Sequence, residues 1–161
     1  NTDYPKKCVI CVAPHTSNWD LILGQIVYRS MGRKANFLMK KSWFFFPLNI
    51  FFNAMGGIAV DRSKNNSLTD SLAQEFEKRD NFQLAVTPEG TRKKTENWKM
   101  GFYYIALAAN IPIVVVALDY ENKLADFKLV LMPTGDAEKD IATIKSCYKG
   151  VKGRNPEQFS L

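Results

Sequence analysis

The sequence predicts an α/β fold: a single domain over residues 1–161, built on a mixed, largely parallel sheet flanked by helices. Three observations carry this prediction. Strand-like and helix-like runs alternate along the chain, the order that builds parallel sheets through helical crossovers. Residues 113–118, with Pro112 at their start, form the most β-branched run and read as a buried strand. The 161 residues are 46% hydrophobic and 24% charged, enough apolar material for a real core and too balanced for disorder. No repeat, low-complexity tract or linker divides them.

Taken in order, residues 7–13 read as a buried first strand. From Asn18 to Met31, Trp19, Ile22, Leu23, Ile26, Val27 and Met31 recur at helical spacing, and Gly32 is the expected stop. Residues 35–39 and 57–60 read as short strands. Ser67-x-x-Asp70 resembles a capping box, with Asp where Glu or Gln is usual, ahead of Leu68, Leu72 and Phe76 on one helical face. Residues 82–86 form the next strand, and a polar loop runs to about Trp98. A helix over residues 101–109 leads into the strand at 113–118, and 127–131 is the last strand. Ile141, Ile144, Tyr148 and Val151 mark a closing amphipathic helix capped by Asp136.

The net charge of +6 favours anionic partners: phosphorylated small molecules, an anionic membrane surface or nucleic acid. Nucleic acid is disfavoured, because Lys and Arg are spread along the chain and no recognisable nucleic-acid module appears. Cys8 and Cys11 form a C-x-x-C, but they fall in an apolar run with no second pair or His nearby. Reduced, partly buried thiols are therefore expected rather than a zinc or redox site. With Cys147 the count is odd, which argues for a reducing compartment. No signal peptide or transmembrane run is visible. The first residue is Asn1 and not Met, which leaves room for a preceding segment, an anchor included.

Four segments carry chemistry. His15 is the only histidine, it follows an apolar strand, and Asp20 lies five residues on. An imidazole oriented by a carboxylate is a ready general base, and open α/β sheets bind ligands at the strand-to-helix edge. If Ser17 or Asn18 caps the helix, Asp20 sits in its first turn, where the macrodipole favours a carboxylate. The plainer reading makes Asp20 a helix-start acid and His15 a loop residue. The second segment, Gly56-Gly57-Ile58-Ala59-Val60-Asp61-Arg62, ends a strand in an acid and a guanidinium suited to bidentate phosphate binding. Its bland alternative is a surface Asp–Arg pair. In the third, Thr87-Pro88-Glu89-Gly90-Thr91-Arg92, Pro and Gly fix a tight turn while Thr91 and backbone amides can donate to oxyanions. Arg92, with Lys93 and Lys94, adds charge, although a solvated turn has the same composition. Neither nucleotide-binding glycine spacing occurs. The fourth segment, Ile111-Pro112-Ile113-Val114-Val115-Val116, contains nothing that titrates and reads as core.

Between the first two segments runs Ser42-Trp43-Phe44-Phe45-Phe46-Pro47-Leu48-Asn49-Ile50-Phe51-Phe52, after Lys40 and Lys41. It is too short and Pro-broken to span a bilayer. It could lie in a membrane interface or line an acyl-chain tunnel, and core packing stands beside those readings.

In this order the four blocks resemble those of the glycerolipid acyltransferase family, the lysophosphatidate acyltransferase group of bacteria in particular. That family carries a His-x-x-x-x-Asp block, then Gly-x-Ile-x-x-Asp-Arg, then Pro-Glu-Gly-Thr-Arg, then an Ile-Pro-rich strand. The likeness runs from about Cys8 to Asp119. Each block alone is weak, and four in sequence are specific. Pro14 stands where Asn is common, and Thr87 where an aromatic or branched residue is common. Trp98-Lys99-x-Gly101-Phe102-Tyr103 resembles a feature of a compact bacterial subset.

The resemblance implies an acyltransferase of phospholipid biosynthesis. His15, oriented by Asp20, would deprotonate a lysophospholipid hydroxyl that attacks the thioester of acyl-CoA or acyl-carrier protein, with no acyl-enzyme. Arg62 and Arg92 would hold the acceptor phosphate. Gly57, Asp61, Glu89, Gly90 and Thr91 would shape that site. It also implies no cofactor or metal, the donor being a substrate, and a place at the cytoplasmic face of the membrane. The competing readings are transfer to another acceptor, such as an amino-lipid, and a non-enzymatic membrane-surface binding protein.

Overall fold

Parallel strands need crossovers rather than tight turns, so the alternation of runs has a direct structural consequence. A computed structural model describes residues 4–60 and 65–161, residues 65–67 by backbone alone. Six strands form one sheet: β1 (Lys7–Ala13), β2 (Asn36–Lys40), β3 (Gly57–Val60), β4 (Phe82–Val86), β5 (Ile113–Asp119) and β6 (Leu124–Leu131). Their spatial order is β3-β2-β4-β1-β5-β6. All neighbours pair in parallel except β6, which returns antiparallel on β5. The connecting helices are α1 (Trp19–Ser30), α2 (Leu48–Met55), α3 (Asn65–Lys78), α4 (Gly101–Ala108) and α5 (Ala137–Ser146). This is the expected fold class.

The chain steps outward from β1 to β2 and β3, then back to β4 and across to β5. Right-handed crossovers therefore place α1 and α2 on one face and α3 and α4 on the other. Packing agrees. Leu72 and Phe76 of α3, Phe102 and Ile105 of α4, and Ile144 of α5 close over Val9, Leu84, Ile113 and Val115. A fully buried side chain of this size stabilises by about 1.5–3 kcal/mol, so this face holds most of the apolar burial. Tyr148, also buried, donates its hydroxyl to the Cys11 carbonyl at 2.7 Å and ties the end of the chain to β1.

The opposite face is thin. Cys8, Ile10, Val114 and Val116 meet Tyr28 of α1 and Ala35, with Tyr4 and Phe127 at the margin. The expected helix over 18–31 is present and Gly32, at φ +71°, ends it. Its apolar stripe, however, faces outward: Trp19, Ile22, Leu23, Ile26 and Met31 are exposed, while Asp20, Gln25 and Tyr28 are buried. α2 lies on the same face. Ile58 packs into the thick core, so Gly57 faces the other way, where an added Cβ would meet the Phe52 carbonyl oxygen at 2.9 Å. Core packing does not account for the aromatic segment, because Trp43, Phe45, Phe46, Ile50 and Phe51 are exposed, Phe46 at 77%.

Other boundaries shift for local reasons. α3 begins at Asn65, two residues before the expected start, and the Ser67 side chain lies outside the described residues. β6 begins at Leu124 because Asp119 accepts from the backbone and side chain of Asn122, closing a tight turn. A register shift between Val115 and Val116 lets Phe127 and Leu129 serve opposite faces. α5 stops at Ser146, short of Val151, with Asp136 accepting from the Lys139 amide as its cap at 3.1 Å. Cys8 and Cys11 stand three residues apart on one strand, so they face opposite sides of the sheet, each fully buried. Burial pushes both thiols up to about 12.

Candidate active site

The C-terminal ends of β4, β1 and β5 lie side by side, and the chain departs in different directions from β1 and β4. That is a switch point of an open α/β sheet. His15 emerges two residues past β1, Glu89 three past β4 and Tyr120 one past β5.

Asp20 is at the centre. It lies in the first turn of α1 and is 4% exposed. Its Oδ2 accepts from the Thr16 amide at 2.8 Å, the Ser17 amide at 2.9 Å and His15 Nδ1 at 3.0 Å. Its Oδ1 accepts from the Tyr120 hydroxyl at 2.5 Å. Burial alone would push this carboxyl up. The hydrogen bonds from His15, Tyr120 and Ser17 outweigh burial and hold it below the usual carboxylate range. An ionised carboxylate only accepts, so His15 carries its proton on Nδ1. Nε2 then has a free lone pair, and no described residue bonds it. The imidazole side chain keeps 21% exposure. Asn18, at the N-cap position, makes no side-chain cap; the Ser17 hydroxyl accepts from the Trp19 amide instead.

Glu89 holds the same loop from β4. It is 4% exposed, and its Oε1 accepts the His15 backbone amide at 2.9 Å. Its Oε2 is buried without a partner among the described residues, and burial raises this carboxyl above its ordinary range. The turn itself closes through Gly90 N to Thr87 O at 3.1 Å, with Gly90 at φ +63°, where glycine alone is unstrained. The Thr91 hydroxyl accepts from the Lys93 amide, and Arg92 donates to the Asn18 side chain, beside Asp20. The structure thus brings together His15, Asp20, Glu89, Gly90, Thr91 and Arg92.

Gly57 is not part of that cluster. It starts β3, three places from β1 in the sheet, where it pairs with Phe37 of β2 and packs against the α2 segment. Asp61 and Arg62 lie outside the described residues.

The family model Acyltransferase matches residues 1–119. The chain belongs to the glycerolipid acyltransferase family. It is an enzyme that moves an acyl group from a donor to a lipid acceptor. No curated protein and no solved structure matches it.

Two supports of this acyltransferase's site fall beyond the matched residues, and the motif reading misses both. Tyr120 is the first. The second is the closing segment. The Asn155 amide donates to the Thr16 hydroxyl at 3.2 Å, and its side chain donates to the Thr16 carbonyl at 2.8 Å. Buried Gly153 packs so closely that a Cβ would sit 2.8 Å from Thr16 Oγ1. Arg154 stacks over Trp19, its guanidinium carbon 5.5 Å from the ring centroid. No spacing rule links these positions to His15. The one available signal is topological: the end of a strand beside β1 must lie near whatever leaves β1.

Proposed function

We propose that this acyltransferase moves a fatty acyl group from the thioester of acyl-CoA or acyl-carrier protein to the hydroxyl of a lysophospholipid of the lysophosphatidate kind. In this reading it serves phospholipid biosynthesis. The observation that carries the reading is the His15 Nδ1 to Asp20 Oδ2 bond at the switch point, with Nε2 bonded by no described residue.

His15 Nε2 takes the proton of the acceptor hydroxyl as its oxygen attacks the thioester carbonyl carbon. Asp20 stays ionised and stabilises the imidazolium. The tetrahedral intermediate expels the donor's sulfur, which leaves as a thiol by taking the proton from Nε2. The acyl group never resides on the protein, so no nucleophilic Ser or Cys is needed. Glu89 fixes the His15 backbone. Arg92, joined by Arg62, supplies guanidinium charge for the acceptor phosphate, and Gly90 and Thr91 shape the turn that presents it. In this reading Asp61 acts with Arg62 on the acceptor, and Gly57, which stands apart from the His15 cluster, serves only to shape the start of β3.

The exposed stripes of α1 and α2 on one face, bordered by exposed Lys40 and Lys41, favour a peripheral position on the cytoplasmic leaflet. No described helix is long and apolar enough to cross a membrane.

The test is thiol release from acyl-CoA and from acyl-carrier protein with lysophosphatidate, an uncharged monoacylglycerol or an amine-bearing lysolipid, with products identified. Turnover is expected with lysophosphatidate, and Arg92→Ala should raise its KM. Equal turnover with the phosphate-free acceptor would overturn the acceptor assignment, and acceptor-independent release would mark a thioesterase. Flotation with anionic vesicles should carry the wild type and lose Ile26→Ser/Phe46→Ser. Absence of wild-type flotation would overturn the peripheral placement.

A further inference from the structure

Tyr120 lies outside every motif block and one residue past the family match, yet its hydroxyl makes the shortest contact to Asp20, at 2.5 Å. Among the described residues it is the one partner of Oδ1, while His15, Thr16 and Ser17 share Oδ2. Without Tyr120 no described donor would hold Oδ1, and the tilt of the carboxylate toward the imidazole would rest on the Oδ2 bonds alone. The tyrosine is itself fixed: its amide donates to the Lys152 carbonyl at 2.9 Å, in the segment that goes on to hold Thr16 through Asn155.

We propose that Tyr120 is a positioning residue, which sets the orientation and charge density of Asp20 and, through it, the basicity of the catalytic imidazole. The proposal rests on the general-base reading of His15. A hydroxyl donating to Oδ1 draws charge from the carboxylate, so the imidazolium on Oδ2 is held less tightly and returns its proton to the departing thiolate more readily. Tyr120 can play this part because it stays a donor: burial and the Asp20 charge raise its hydroxyl further above working pH. The charged and titratable groups around the pair are His15, Glu89 on the His15 amide, Arg92 on Asn18 and Arg154 near Tyr120.

The experiment compares wild type, Tyr120→Phe, Asp20→Asn and the double variant in two ways. The first is kcat, KM and pH profile with acyl-CoA and lysophosphatidate. The second is the Nδ1–H resonance in nitrogen-15 spectra, which the single histidine makes unambiguous. Tyr120→Phe should lower kcat about 10-fold, keep both KM values within about twofold, and move the acid limb of the profile to higher pH. It should also shift or broaden the Nδ1–H signal. In the Asp20→Asn background the Tyr120→Phe change should add almost nothing. An unchanged resonance with unchanged kcat would overturn the proposal, as would a loss that simply adds to that of Asp20→Asn. If the wild type transfers no acyl group, the general-base reading fails on that result. The resonance then decides by itself whether Tyr120 orders the Asp20–His15 pair.

Discussion

Asp20 and Asp140 make an instructive pair. Each is a buried aspartate in the first turn of a helix, α1 for one and α5 for the other. Each accepts a tyrosine hydroxyl, Tyr120 at 2.5 Å and Tyr103 at 2.9 Å. Each also gathers a backbone amide from the loop before its helix, Thr16 at 2.8 Å and Thr134 at 2.8 Å. In both, burial pushes the carboxyl up and hydrogen bonds overcome it, so both stay ionised below the usual range. The difference lies in the remaining partner. Asp140 spends it on the Thr134 hydroxyl at 3.1 Å, whereas Asp20 spends it on an imidazole at the switch point. A helix-start acid and an acid that orients an imidazole are therefore not rival readings of Asp20. The same device that fastens a loop to a helix elsewhere here fastens a loop that contains a histidine.

The largest effect should separate the two sites by substitution. Asp20→Asn should lower kcat by roughly 10³- to 10⁴-fold, the range for a base that loses its orienting carboxylate. Asp140→Asn should leave kcat within about twofold but lower unfolding stability by about 2 kcal/mol, read by denaturant titration. A matching kcat loss in Asp140→Asn would break the comparison. A smaller effect sharpens it: Tyr103→Phe should cost about 1 kcal/mol and leave the pH–rate profile in place, unlike Tyr120→Phe.

Acid unfolding gives the smallest and most gradual difference. Both aspartates have folded values below their unfolded ones, so their stabilisation is present above about pH 4 and lost as pH falls through the folded values. Glu89 runs the other way. Its folded value is raised, so protonation favours the fold and its contribution grows as pH falls through that value. Wild type should therefore lose stability below pH 4 more steeply than Asp20→Asn or Asp140→Asn. Glu89→Gln should gain stability relative to wild type at neutral pH, and that gain should vanish in acid. Stability curves against pH for these variants would show it, and a Glu89→Gln loss at neutral pH would contradict the sign.

The sheet was legible because the runs at 7–13, 82–86 and 113–118 are short and mostly apolar, the last of them strongly β-branched. α1 was legible as a helix but not in its orientation. Periodicity reports that Trp19, Ile22, Leu23 and Ile26 share a side, and says nothing about what covers that side. α2 escaped the sequence reading because its aromatic residues have weak helical propensity and a Pro precedes them. At the site, His15 and Asp20 were legible through local spacing, and Glu89 only through the family resemblance, which assigned it to the phosphate turn and not to the His15 amide. Tyr120, Gly153 and Asn155 were not, since each reaches the loop from more than 90 residues away and depends on which strands become neighbours.

The central claim is that His15 performs direct acyl transfer. It is tested most directly by acceptor-dependent thiol release in wild type and His15→Ala, with the intact mass of the protein followed during turnover. The account predicts a loss of at least about 10³-fold in kcat in a variant that remains folded, and no acyl adduct on either protein. Activity of His15→Ala within about tenfold of wild type, or an acyl group accumulating on the chain, would contradict it.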